Sequence, residues 1–142
     1  MQPEVISGVF GGFDPLEYRS EAEWRWGHTS AYKESVRRTR SYTREDWKRI
    51  QDENIAVTRR MLAAFDSGVK PEDTEAMNIA EEARRAIDRA FYACTHEMHA
   101  TLAEAYVRDE RFRAFYDRQR EGLAAWFAAA IKANRKRAAA EQ

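Results

Sequence analysis

Residues 43–68 constrain the fold more than any other stretch. Thr43-Arg44-Glu45-Asp46 places a carboxylate three residues after a threonine, a variant of the reciprocal capping box that opens helices. Trp47, Ile50, Asn54, Val57, Met61 and Phe65 follow at helical spacing, so one stripe of the helix is apolar apart from Asn54. Asn54 suits a hydrogen-bonded polar group in a core, or else a ligand contact. Ser67-Gly68 ends the run, because glycine takes the left-handed terminating conformation without a side-chain clash. A helix this long with one apolar face must be covered, and the rest of the chain supplies only more helices to cover it.

Before it, Thr29 or Ser30 caps a helix from Ala31 to about Arg40, with Tyr32, Val36 and Thr39 on one face. After it, Asp73 or Thr74 opens a helix to about Phe91 with the stripe Met77, Ala80, Arg84, Ile87 and Phe91. The helix from about His96 to Val107 carries Met98, Leu102, Ala105 and Tyr106. Asp109 then caps a segment with Phe112, Phe115 and Tyr116 on one side. Gly122 marks a break. Leu123, Trp126, Phe127, Ala130 and Ile131 form the inner face of a closing helix, and residues 133–142 are expected to fray. Only 6 glycines and 3 prolines occur, mostly at these joints, and the chain is expected to be all-α.

Composition removes several function classes. The 142 residues fit one domain with a single core. Lys and Arg number 24, as do Asp and Glu, which argues against a chain that contacts nucleic acid directly. A single cysteine permits no internal disulfide and suits a reducing cytoplasm. No signal peptide and no membrane-spanning run are visible.

The chemistry gathers in Phe91-Tyr92-Ala93-Cys94-Thr95-His96-Glu97-Met98-His99, which holds the only cysteine and two of the three histidines. It reads as a helix end, a corner and a new helix capped by Thr95, whose hydroxyl accepts from the N–H of Glu97 or Met98. The thiol of Cys94 then lies beside a helix N-terminus, which favours thiolate. Phe91 and Tyr92 oppose this, because apolar burial favours the neutral thiol. Cys94 is thus either a small buried hydrophobe or a wall of a ligand site.

Eight aromatic residues fall before residue 48: Phe10, Phe13, Tyr18, Trp24, Trp26, Tyr32, Tyr42 and Trp47. The first six lie where helical patterning is weakest, and Phe10-Gly11-Gly12-Phe13-Asp14-Pro15 is a flexible turn leading into a short helix. Residues 1–42 are read as an aromatic-rich lid over a helical core of residues 43–137, against the simpler reading that these rings pack on that core.

Familiar catalytic and cofactor patterns do not fit. Gly11-Gly12 lacks the strand, helix and lysine of a phosphate loop. His96 and His99 are three apart, not the four of the zinc-protease motif, and no second pair closes a metal site. Haem or metal binding through His96 and His99 stays open as an alternative, as does a helical protein-interaction module. The Arg/Glu pairs of residues 81–89 read as surface ion pairs of little energetic weight.

One family pattern runs in order through nearly the whole chain. Its pieces are Trp26-Gly27, Ala31-Tyr32-Lys33-Glu34-Ser35, Arg38-Thr39 and Ser41-Tyr42-Thr43-Arg44-Glu45-Asp46-Trp47. They continue with Phe91-Tyr92, Cys94, Glu97-Met98-His99, Tyr106-Val107, Arg111-Phe112, Gly122-Leu123-Ala124, Ala130-Ile131 and Ala133-Asn134. In these the chain resembles the TipAS-type antibiotic-recognition domain, the effector-binding part of TipA-like regulators of the MerR family. The resemblance implies a globin-like helical fold without haem, filling residues 1–142 as a single domain without the regulators' DNA-binding part. It implies non-enzymatic binding of thiopeptide or other bulky multi-ring antibiotics, for drug sensing or sequestration in multidrug resistance, with no cofactor and no metal. It is compatible with a cytoplasmic protein and a homodimer. With it, the expected ligand-binding residues are Trp24, Trp26, Tyr32, Tyr42 and Trp47, opposite Phe91, Tyr92, Cys94, Met98 and His99. Some thiopeptide-binding members capture a dehydroalanine of the drug with a thiol. Here the flanking aromatics make mainly non-covalent binding the expectation.

Overall fold

The computed structural model describes residues 30–141. Among the described residues there are six helices and no strand: α1 (Ser30–Thr39), α2 (Arg44–Asp66), α3 (Thr74–Ala90), α4 (His96–Arg108), α5 (Glu110–Asp117) and α6 (Leu123–Ala140). The all-α expectation therefore holds. Phe10, Phe13, Tyr18, Trp24, Trp26 and the short helix expected near Pro15 lie outside the described residues. The described residues form two compact units, residues 30–55 with 86–93, and residues 56–85 with 94–141.

In the first unit, the capping box closes as the sequence implies. The Thr43 N–H donates to Asp46 Oδ2 at 2.9 Å, and the Asp46 N–H donates to Thr43 Oγ1 at 3.2 Å. Helix α2 can thus start abruptly and present Trp47 and Ile50, which are buried with Ala90 against Tyr42 and Phe91. Polar side chains fasten main chain across the unit. Arg38 Nη1 donates to the Asp88 carbonyl at 2.6 Å, and its Nη2 donates to Glu34 at 2.7 Å. The other oxygen of Glu34 accepts the Ala93 N–H at 3.1 Å. That backbone donor first, and Arg38 with it, hold the Glu34 carboxyl below its usual range.

The second unit has the larger core. Met61, Ile79, Leu123, Trp126, Phe127 and Ile131 fill it, with alanines at 64, 76, 80, 103, 128 and 130 letting the helices approach closely. The Trp126 Nε1–H donates to the Val69 carbonyl at 2.8 Å, so even the indole nitrogen is satisfied in this packing. All five residues expected on the inner face of α6 are buried, joined by Ala124, Ala128 and Asn134.

Two expectations need correction. The chain does not fray from residue 133: α6 continues to Ala140. Its last turns consist of strong helix formers, and Arg137 bonds Asn134 at 2.7 Å and Asn78 at 2.8 Å. The inner face of α4 is also turned from the expected one. His99, Ala100 and Ala103 are buried, whereas Met98 and Leu102 are half-buried. Small alanines rather than the long side chains meet the neighbouring helices, a choice that hydrophobicity alone does not reveal. No helix among the described residues is long and apolar enough to cross a membrane.

Gly68 ends α2 with φ +81, and a Cβ placed there would meet nothing within 4 Å. The cost of a side chain is therefore one of backbone conformation alone. Gly68→Ala is expected to destabilise the fold by about 1 kcal/mol in urea unfolding, with an unchanged helical spectrum; equal stability would show that the turn tolerates a Cβ.

Candidate functional site

The first unit brings together three of the expected ligand-binding residues. Tyr42 stands edge-on to Trp47, with ring centroids 5.6 Å apart, and Trp47 lies 6.2 Å from Phe91. Tyr42 is aimed by its hydroxyl, which donates to the Ala90 carbonyl. Phe91 directly follows α3, so the helix end fixes where its ring can go. Tyr32 on α1 and Tyr92 in the corner are half-buried. The Trp47 Nε1–H is buried and has no hydrogen-bond partner among the described residues.

The second unit holds Cys94, Met98 and His99. Thr95 caps α4 as expected, its Oγ1 accepting the Met98 N–H at 3.0 Å. Cys94 immediately precedes this cap and is a buried thiol in no disulfide, 1% exposed. Its Sγ lies 3.8 Å from the Thr95 carbonyl oxygen. Met98 remains half-buried. His99 is 1% exposed, its ring edge-on to Phe127 at 6.2 Å. Neither imidazole nitrogen has a hydrogen-bond partner among the described residues.

Beside this stretch lies a polar cluster that contradicts the surface ion pairs expected over residues 81–89. Glu81 accepts from Arg84 Nη2 at 2.6 Å, Arg84 Nε at 3.0 Å and Asn134 Nδ2 at 3.0 Å, and pairs with His96 Nε2 at 2.9 Å. Glu81 and Arg84 side chains are only 16% and 15% exposed. Arg84 Nη1 also donates to the Cys94 carbonyl at 2.6 Å, so α3 holds the corner in front of α4. Burial would raise the Glu81 carboxyl. The hydrogen bonds from Arg84, Asn134 and His96 outweigh it and hold the group well below the carboxylate range. The signal available in the sequence was Arg84 sitting on the apolar stripe of its helix, where a cation demands a partner. The pairs Arg60–Glu82 and Arg89–Glu53 are by contrast solvent-exposed, as expected.

Packed against the same core, Tyr106 stacks on Phe127 at 5.8 Å and lies 5.5 Å from Tyr116, with their hydroxyls hydrogen-bonded to each other. Burial raises both phenols above their usual value. They therefore act as neutral polar groups in an aromatic setting. His96 is engaged by Glu81 while His99 packs on Phe127, and no group of three or more metal-binding side chains exists among the described residues.

Burial foremost, and the positive charge of Arg84 next, lower His99 from 6.5 to about 4 despite the opposing charge of Glu81. The unfolded chain then binds the proton more readily than the folded one. Stability from neutral His99 is complete above pH 6.5 and is lost as pH falls towards 4. The gap corresponds to about 3 kcal/mol at most. Glu81, depressed instead, contributes stability above its ordinary 4.5 that is lost at lower pH. Melting temperature is expected to fall between pH 6.5 and 4 in the native protein and to fall less over this range in His99→Leu. Parallel curves would assign the acid sensitivity to other groups.

With this geometry in view, three comparisons identify the chain's relatives. The model of the TipAS antibiotic-recognition domain matches residues 18–134. The HTH-type transcriptional activator TipA of Streptomyces coelicolor is 50% identical over 135 residues, covering 94% of this chain and 53% of that protein. The HTH-type transcriptional activator mta of Bacillus subtilis is 33% identical over 114 residues, 80% of this chain and 43% of its own length. The chain thus spans about half the length of the curated relatives it matches. Among solved structures, TipAS of Streptomyces lividans in complex with nosiheptide, from a thiopeptide antibiotic multidrug resistance system, superposes with a TM-score of 0.87. It shares 47% identity, covering 97% of this chain and 96% of that one. The antibiotic-binding domain of a TipA-class multidrug resistance transcriptional regulator gives a TM-score of 0.59 at 46% identity, covering 65% of this chain and 98% of that one. The chain belongs to the TipAS antibiotic-recognition domain family.

Proposed function

We propose that this chain is a non-enzymatic receptor for thiopeptide and other bulky, multi-ring hydrophobic antibiotics, serving drug sensing or sequestration. The observation that carries the reading is its likeness, at 47% identity and nearly full length, to a domain solved with nosiheptide bound. The chemistry agrees with it. Large aromatic side chains bind flat multi-ring ligands by stacking and by removing apolar area from water. Tyr42, Trp47 and Phe91 form such a group in one unit, and Phe127 lies against His99 in the other.

In this reading the helical core of residues 43–137 has a globin-like arrangement without haem, and residues 1–42 act as a lid that brings Trp24 and Trp26 to the drug beside Tyr32, Tyr42 and Trp47. Phe91, Tyr92, Cys94, Met98 and His99 complete the proposed set of ligand-binding residues. As a sensor, the domain passes binding to a DNA-binding part of a longer regulator. As a sequestering protein, it holds the drug away from its target. A cytoplasmic location and a homodimer complete the reading.

Isothermal titration against a thiopeptide panel and an unrelated multi-ring drug tests it. Saturable heat with at least one thiopeptide is expected, and no heat with any compound would refute it. Trp24→Ala and Trp26→Ala are each expected to weaken binding by about 1–3 kcal/mol with helicity retained, the scale for truncating an aromatic anchor. Unchanged affinity in both would remove the lid assignment.

The buried state of Cys94 supports non-covalent binding. Intact mass after incubation with a dehydroalanine-containing thiopeptide is expected to show no adduct, with equal affinity for native protein and Cys94→Ser. A stoichiometric adduct that disappears in Cys94→Ser would make this thiol the capturing nucleophile.

A further inference from the structure

We infer that His99 is a specificity-determining residue that recognises an uncharged amide of the ligand, and that the fold gives up stability to keep it. The inference rests on the antibiotic-binding reading and adds to it which polar group is read, and by what. A buried polar side chain is normally hydrogen-bonded, because an unpaired donor or acceptor forfeits its hydration without compensation. His99 is 1% exposed, yet neither ring nitrogen is paired among the described residues. The rest of the second unit satisfies its polar atoms thoroughly. The Trp126 indole reaches Val69, Asn134 reaches Glu81 and Arg137, and Tyr106 and Tyr116 bond each other. The exception sits in the first turn of α4, five residues after the Cys94 corner held by Arg84.

Its surroundings specify the ligand chemistry. Burial first, then the charge of Arg84 against the opposing charge of Glu81, keep the imidazole neutral at pH 7. A neutral imidazole presents one N–H donor and one bare nitrogen acceptor. The complementary group is one that carries an acceptor and a donor together without charge, as a secondary amide does. The ring's other neighbour is the edge-on face of Phe127, so the amide must be flanked by apolar or aromatic surface. A peptide-derived, ring-rich molecule has both features. A ligand lacking the amide would leave both nitrogens unpaired, the situation that gives hydrogen-bonding sites their strongest discrimination.

The test separates a binding role from a packing role. His99→Leu and His99→Met replace an unpaired polar ring by apolar side chains of similar size, a change that is neutral or stabilising when the polar group has no partner in the fold. Both variants are expected to keep or raise the melting temperature at pH 7 and to bind nosiheptide at least tenfold more weakly than the native protein, with His99→Gln recovering part of the loss. Native affinity in both apolar variants would overturn the inference while leaving the antibiotic-binding reading intact. So would a lowered melting temperature in both with a parallel loss of affinity, since His99 would then be a packing residue. A native protein that binds neither nosiheptide nor any other thiopeptide would overturn the reading and the inference together.

Discussion

Glu81 ties the second unit together. Its carboxylate receives Arg84 from its own helix, His96 from the first turn of α4 and Asn134 from α6, so three helices meet at one half-buried charge. Such a cluster is weak evidence for net stability, since desolvating the ions consumes much of the attraction between them. Its effect is positional. Each donor must approach at a fixed distance and angle, and Arg84 spends its remaining nitrogen on the Cys94 carbonyl. The corner leading into α4 is therefore held by a directed hydrogen bond rather than by apolar packing alone. The orientation of the Thr95 cap, and with it of Met98 and His99, follows.

The first unit reaches a similar end by different means. Its apolar cluster is small, Trp47, Ile50 and Ala90 with Tyr42 and Phe91. Side-chain hydrogen bonds to main chain do much of the fastening: Tyr42 to Ala90, Arg38 to Asp88, and Ala93 to Glu34. Carbonyls near the end of α3 have lost their intrahelical donors, and Tyr42 and Arg38 supply replacements there. Against this thorough pairing, the Trp47 indole in one unit and the His99 imidazole in the other stand out as unpaired among the described residues. Departures from local consistency concentrate at functional sites, where stability is traded for recognition.

Much of the architecture was legible because helix boundaries have local chemistry. Thr43, Gly68, Thr95, Asp109 and Gly122 act at the ends of helices where the sequence placed them. The inner face of α6 was legible too, because large apolar residues there repeat at helical spacing. What was missed depends on neighbours that sequence periodicity does not contain. The buried alanines at 76, 100 and 103 look indifferent in sequence, and they matter only because another helix approaches them. Glu81 looks like any surface glutamate until Asn134, 53 residues away, is seen to reach it. Of the expected ligand-binding residues, Tyr42, Trp47 and Phe91 are brought together, and Cys94 and His99 are buried near the start of α4. Trp24 and Trp26 lie outside the described residues.

Binding at these side chains leaves a spatial signature that binding elsewhere does not. The most direct measurement is chemical-shift mapping of isotope-labelled protein titrated with nosiheptide, following backbone amides and the indole N–H groups. The largest changes are expected at Tyr32, Tyr42, the Trp47 indole, Tyr92, Cys94, Met98 and His99. Changes confined to α5 and the exposed side of α6, with these residues unmoved, would place the ligand elsewhere and contradict the site.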